Sequence, residues 1–163
     1  MSVKPVPDGY HTATPYLIVK GAADAIEFYK KVFGAIEVMR MAGPGGQIMH
    51  AEIKIGDSII MLGEENPQWG ATAPTSLGGS PVGLCLYFAD VDARFAAAVA
   101  SGASVKRPVQ DQFYGDRSGT VIDPFGHIWT IATHIEDVSE EEIKRRMLAW
   151  MEQHAAQQKQ DAA

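Results

Sequence analysis

His50-Ala51-Glu52-Ile53-Lys54-Ile55-Gly56-Asp57-Ser58 is the stretch that decides the fold. Polar His50, Glu52 and Lys54 alternate with apolar Ala51, Ile53 and Ile55, the period-two pattern of a strand with one buried and one polar face. Gly56-Asp57 supplies the glycine that a two-residue type II′ hairpin turn needs in its first central position. Ser58 to Leu62 then returns as the partner strand. Before this hairpin, Pro15 to Val19 reads as a strand. Ala22, Ala25, Ile26, Tyr29, Val32 and Phe33 recur at helical spacing, and Gly34 follows where a left-handed cap is required. Ile36 to Met41 reads as a strand, followed by a Gly-Pro-Gly-Gly turn.

The same order then starts again. Val82 to Phe88 reads as a strand, and a helix from Asp92 carries Phe95, Ala96, Val99 and Ala100. Gly102 caps it, and strands follow at Val105 to Val109, Tyr114 to Ile122 and His127 to Thr133. Asp123-Pro124-Phe125-Gly126 is read as a four-residue turn between the last two. Gly34-Ala35 and Gly102-Ala103 mark the register of the two copies, and two copies indicate duplication rather than a solenoid. The predicted fold is α+β: tandem βαβββ modules over 10–64 and 82–137, curled into a mixed-sheet cup. The predicted linker, 65–81, is rich in Pro, Gly, Ser and Thr. A C-terminal helix over 138–155 opens on the capping box Ser139-Glu140-Glu141-Glu142. Its apolar stripe, Ile143, Met147, Trp150 and Met151, packs on the body or forms a dimer contact. Residues 156–163 are expected to fray.

Composition narrows the function classes. A net charge of −6 without a Lys/Arg run argues against nucleic acid. No stretch approaches the roughly 20 apolar residues of a membrane span. The single cysteine, Cys85, rules out an internal disulfide. With no export signal at the N-terminus, the cytoplasm is the expected compartment.

Ala25-Ile26-Glu27-Phe28-Tyr29, Phe33-Gly34-Ala35 and Asp123-Pro124-Phe125-Gly126, set in tandem βαβββ units, resemble the vicinal oxygen chelate superfamily. This is the glyoxalase, bleomycin-resistance and extradiol dioxygenase group. His50-Ala51-Glu52-Ile53, Ile55-Gly56-Asp57-Ser58 and Tyr114-Gly115-Asp116-Arg117 resemble its PhnB-like branch. The resemblance implies a cup in which metal enzymes place one His, Gln or Glu on each of four strands. Carried over, those positions fall on Thr14, Met61, Gly83 and Thr130, which do not hold a catalytic divalent ion. No metal and no cofactor is therefore expected.

With Met61 and Thr130 facing inward, as the resemblance implies, strand alternation turns His50, Glu52, Lys54 and Ile59 into the cup, together with Tyr16, Cys85 and Tyr87. With Ile122 opposite His127, Arg117 also faces inward, where it could clamp a carboxylate or phosphonate or pair with a nearby acid such as Glu52. His50 and Glu52, roughly 7 Å apart on one strand face, are the candidate catalytic pair, base and orienting group, or simply the solvated face of a sheet. Tyr16, Met61, Tyr87, Tyr114, Arg117, Thr130 and His134 are the candidate ligand-binding residues. His127 reads as a satisfied polar residue and Trp129 as core. Three function classes follow. The first is a PhnB-like protein that binds a small molecule in a metal-free cup, often shared by two chains in a homodimer. The second is a lyase, isomerase or dioxygenase with a metal on non-standard ligands such as His50, Glu52 and His134. The third is a non-catalytic partner-binding protein. The motifs do not decide whether the chain is an enzyme.

Overall fold

The computed structural model describes residues 3–161, the side chains of 154 and 156–161 excepted. The chain runs β1 (Tyr16–Val19), α1 (Ala22–Phe33), β2 (Ile36–Ala42), β3 (Ile48–Ile55) and β4 (Ser58–Glu64), then α2 (Pro74–Leu77). The second copy is β5 (Gly83–Tyr87), α3 (Val91–Ala100), β6 (Ser104–Asp111), β7 (Asp116–Ile122) and β8 (Ile128–His134), followed by α4 (Glu140–Asp161). Each half forms a mixed four-stranded sheet, ordered β1-β4-β3-β2 and β5-β8-β7-β6. The first strand of each lies parallel to the last, and the rest are antiparallel. Among the described residues no helix is long and apolar enough to cross a membrane.

The helices form for the reasons their sequences give. Gly34 takes φ 68° at the end of α1, and the Ala35 N–H reaches back to the Tyr29 carbonyl, closing the last turn. In α3 the Ala103 N–H bonds the Ala98 carbonyl in the same way. The Glu64 carboxylate, at the end of β4, accepts from the Gly21 and Ala22 N–H groups that open α1.

One continuous core unites the halves. Tyr29, Val32 and Phe33 of α1 share it with Val121, Trp129 and Ile131 of the second sheet. Phe33 lies 4.9 Å from Trp129 between ring centroids, and Arg94 of α3 donates to the Val32 carbonyl while its guanidinium sits over Phe88. The centre of this packing is polar. Asp123 is 4% exposed. Its Oδ1 accepts from the backbone N–H groups of Phe125 and His127, and its Oδ2 from the Tyr29 hydroxyl at 2.8 Å and the Trp129 indole N–H at 2.7 Å. Burial, and then the Asp123 charge, push the Tyr29 phenol well above its usual range. His127 is the satisfied polar residue the sequence indicates: Nε2 meets the Ile18 carbonyl at 3.0 Å. Trp129 is fully buried.

The structure corrects three readings. Segment 65–81, read as a linker without a period, has local structure of its own. It carries a 3-10 turn at Pro67–Trp69, capped by Asn66, and the short α2, while Glu65 accepts from the Ala73 N–H. The final helix runs to Asp161, past the expected fraying point at 156; residues 162 and 163 lie outside the described residues. The third correction concerns register. The closing pair of the last hairpin is Asp123 and His127, so three residues turn the corner and Ile122 pairs with Ile128 rather than with His127. A shift of one residue moves every side chain of β7 to the other face. Arg117 therefore leaves the cup: it pairs with Asp92 of α3 through Nε and Nη2, and with Asp111 through Nη1, all at 2.8 Å. Gly119 lies on the same side, where a Cβ would stand 2.6 Å from the Phe95 ring of α3.

Asp123→Asn places an amide NH2 against donors that have no other acceptor. Urea denaturation is expected to show a loss of about 2–4 kcal/mol for D123N, and about half of that for Y29F. A D123N loss below about 0.5 kcal/mol, the size of an ordinary surface change, would refute the role given to this carboxylate.

Candidate functional site

The face of each sheet turned away from the helices carries the candidate chemistry, arranged in rows that the strand register fixes. In the first sheet Tyr16, Met61, Glu52 and Met39 stand level across β1, β4, β3 and β2. His50 sits beside Glu52 on the same face, level with Met41. In the second sheet the corresponding row is Cys85, Thr130, Thr120 and Arg107, across β5, β8, β7 and β6. The next row carries Tyr87, Ala132, Ser118 and Gln110, and beyond it Asp116 pairs with His134.

In the first sheet four side chains form one hydrogen-bonded chain. The Tyr16 hydroxyl meets His50 Nδ1 at 3.0 Å, and His50 Nε2 meets Glu52 Oε1 at 3.3 Å. Tyr10, from the N-terminal arm, donates to Glu52 Oε2. Glu52 is only 7% exposed, so it depends on these donors. The Tyr10 phenol is raised, chiefly by that hydrogen bond. With the ring proton on Nε2, His50 presents Nδ1 as acceptor to Tyr16, a Tyr–His–Glu relay able to take up or pass on a proton. The arm lies over this face, and a hollow of about 390 Å³ opens between it and Glu52, Met61 and Thr14. Tyr10 is a member of the site that the sequence did not disclose, because the arm has no periodic pattern.

In the second sheet the buried Asp116 accepts from the Tyr87 hydroxyl at 2.8 Å and meets His134 Nδ1 at 2.8 Å, while His134 Nε2 meets Asp137 at 2.9 Å. The hydrogen bond to Asp116, and then burial, push the Tyr87 phenol up to about 12. His134 is held above its ordinary 6.5 by its bonds to Asp116 and then Asp137. Thr130 meets Thr120 hydroxyl to hydroxyl at 3.1 Å. Tyr114 and Trp150 close a second hollow of about 380 Å³ over Ser118, Thr120 and Thr130. Part of the apolar stripe of α4 is exposed, Met147 and Met151 with Leu148 beside them, while the Trp150 ring lies 6.0 Å from that of Phe113.

The sequence-predicted residues therefore separate into two sets. Tyr16, His50, Glu52 and Met61 meet on the first sheet; Tyr87, Tyr114, Thr130 and His134 gather on the second; Arg117 joins neither. Of the first set Glu52 and Met61 line the hollow under the arm, and of the second Tyr114 and Thr130 line the hollow beside α4. The metal donor set of the resemblance does not fit these residues. Thr14, Met61, Gly83 and Thr130 offer hydroxyls, a thioether and no side chain at all. Among the described residues, no three His, Cys, Asp or Glu side chains converge as a divalent ion requires.

The family model of the glyoxalase/bleomycin resistance protein/dioxygenase superfamily matches residues 10–131. The chain belongs to this superfamily. It is 43% identical over 137 residues to the uncharacterised protein Rv0887c of Mycobacterium tuberculosis, covering 82% of this chain and 81% of that one. Protein PA1353 of Pseudomonas aeruginosa superposes with a TM-score of 0.65 at 21% identity, over 77% of this chain and 99% of that one. A PhnB protein from Bacillus cereus superposes with a TM-score of 0.59 at 17% identity, over 76% and 99%. At these identities the two structures speak for the fold alone.

His134 generates a pH prediction. Because its folded-state value is raised, its stabilisation is complete below about 6.5. It declines as pH rises above that and is gone once pH exceeds the raised value. Urea midpoints recorded across this range should fall with rising pH in the wild type, and this component of the fall should be absent in H134Q. Parallel profiles for the two proteins would contradict it.

Proposed function

We propose that this chain is a PhnB-like member of the superfamily that binds a small molecule in a cup without a resident metal, the cup being built by two copies of the chain. The observation that carries the reading is the division of the site. One chain holds two half-cups, each with its own polar centre and its own aromatic or thioether wall. Each hollow, about 390 and 380 Å³, lies near the low end of the ~300–1,000 Å³ range of small-molecule sites. In such a pairing the first-sheet face of one chain, with Tyr16, Met39 and Met61, would be closed by the second-sheet face of another, with Tyr87, Tyr114 and Thr130. Methionines adapt to irregular apolar ligands, and the phenols add flat walls with polar tips. Exposed apolar side chains on β2 (Ile36, Val38, Met41) and α4 (Met147, Leu148, Met151) offer surface for the second copy. Any proton transfer in this cup falls to His50 as base, with Glu52 orienting it. For the metal-dependent reading, no three His, Cys, Asp or Glu side chains converge among the described residues.

Two measurements test the proposal. Sedimentation equilibrium at tens of micromolar should return twice 17.6 kDa; a monomer, with or without added ligands, would remove the shared cup. Purification without chelator should leave Zn, Ni, Mn and Fe well below one equivalent per chain, and one full equivalent of any of them would overturn the metal-free reading.

A further inference from the structure

Arg107 occupies the place in the second half-cup from which the register shift removes Arg117. It stands on β6, level with Thr120 and Thr130, and lines the 380 Å³ hollow with Gln110, Ser118 and Trp150. β6 loses register on both sides of Arg107, between Val105 and Arg107 and again between Arg107 and Gln110. Bulges re-aim side chains and collect beside functional sites. Pro108, which has no N–H to give to a ladder, lies inside the second irregular stretch. The first bulge has a counterpart in the other half: the ladder also shifts between Glu37 and Met39, and Met39 stands level with Glu52 as Arg107 does with Thr120. The duplicated backbone thus aims one side chain from each outer strand into its half-cup, and in the second half that side chain is a cation.

Among the described residues this cation has no partner. Arg40, Arg117, Arg145 and Arg146 each hold carboxylates, and Arg94 holds a carbonyl and a ring. Arg107 makes no hydrogen bond or ion pair among the described residues. The acids nearest in sequence are already taken: Asp111 by Arg117, and Asp116 by Tyr87 and His134. The hollow that Arg107 lines also holds the Ser118 hydroxyl, the hydrogen-bonded Thr120–Thr130 hydroxyl pair and the Gln110 amide, with Trp150 among its walls.

We infer that this hollow is an anion-binding subsite in which Arg107 takes the oxyanion of a ligand whose flat apolar body lies against Trp150. The inference rests on the small-molecule-binding reading above and names the ligand class: a carboxylate or a phosphonate on an aromatic or similarly flat body. The planar guanidinium fork suits either group, and the neighbouring hydroxyls complete its coordination.

The test is titration of the full chain with benzoate, phenylphosphonate and the uncharged benzyl alcohol, read by the Arg107 Nε–H and Trp150 indole resonances. The two anions should shift both signals and bind more weakly as salt is added. R107Q should weaken them about tenfold or more, the effect of losing a charged hydrogen-bonding partner. R107K should recover part of the loss, and K106Q, one residue away, should bind as the wild type. Unchanged backbone spectra of R107Q establish that the fold persists. The ratio of benzoate to phenylphosphonate affinity tells which oxyanion is preferred. Equal weakening by R107Q and K106Q would overturn the inference, as would unaltered binding by R107Q. If benzyl alcohol binds and the anions do not, the anion subsite falls while the small-molecule reading stands. If none of the three binds, both fall.

Discussion

The two halves meet as they do because Asp123 needs four donors and finds them on both sides of the junction. Two are backbone N–H groups of its own turn, one is the indole of β8, and one is the phenol of α1 in the other half. A buried carboxylate without donors is strongly unfavourable. The turn between β7 and β8, the rotamer of Trp129 and the seat of α1 are therefore set together. Aromatic packing of Phe28, Phe33 and Phe125 completes that seat, but it is less directional than the hydrogen bonds. The Asp-Pro-Phe-Gly sequence thus does more than reverse the chain: its first residue ties the two halves of the duplication to each other.

The same turn explains what the sequence discloses and what it hides. Alternation along His50 to Ile55 fixes the first hairpin correctly, because Gly56-Asp57 allows one compact closure and the pairs Ile55–Ser58, Lys54–Ile59 and Glu52–Met61 follow. The tandem order of elements is legible for the same reason: two helices end in Gly-Ala at equivalent places. The second hairpin is not legible in this way. Asp123 could lie inside a four-residue turn or close a three-residue one, and only the demand of its side chain for the Phe125 and His127 N–H groups selects the shorter closure. One residue is enough to send Arg117 to α3 and to put Ser118 and Thr120 in the cup. Bulges in β2 and β6 leave no mark in the alternation either, so Arg107 could not be placed from pattern alone. The Tyr10 contact depends on an arm without periodicity.

Residues that replace the absent donor set follow a consistent logic. In each half-cup a carboxylate on the concave face is satisfied by a phenol and an imidazole: Glu52 by Tyr10 and His50, Asp116 by Tyr87 and His134. Each half-cup also carries a cover from outside its βαβββ unit, the arm over the first and α4 over the second. Each carboxylate keeps its charge but has its oxygens engaged, and beside it stand thioethers, hydroxyls and rings, joined in the second half-cup by Cys85, Gln110 and Arg107.

Against that background the position of Arg107 gains its meaning from contrast. Asp116 keeps its charge beside Tyr87, so an incoming anion is drawn to the second half-cup by the Arg107 guanidinium and the hydroxyls near it, not by a neutral surround. Arg117 shows the alternative fate of an arginine on the neighbouring strand. On the helix face it meets Asp92 and Asp111 and becomes a brace between β7, α3 and β6. The difference between brace and binding group lies in backbone register alone, one residue in a turn and two irregular steps in an edge strand. In a duplicated sheet of this kind, the places where the ladder slips are where the two halves are freest to diverge in chemistry: Met39 on one side, Arg107 on the other.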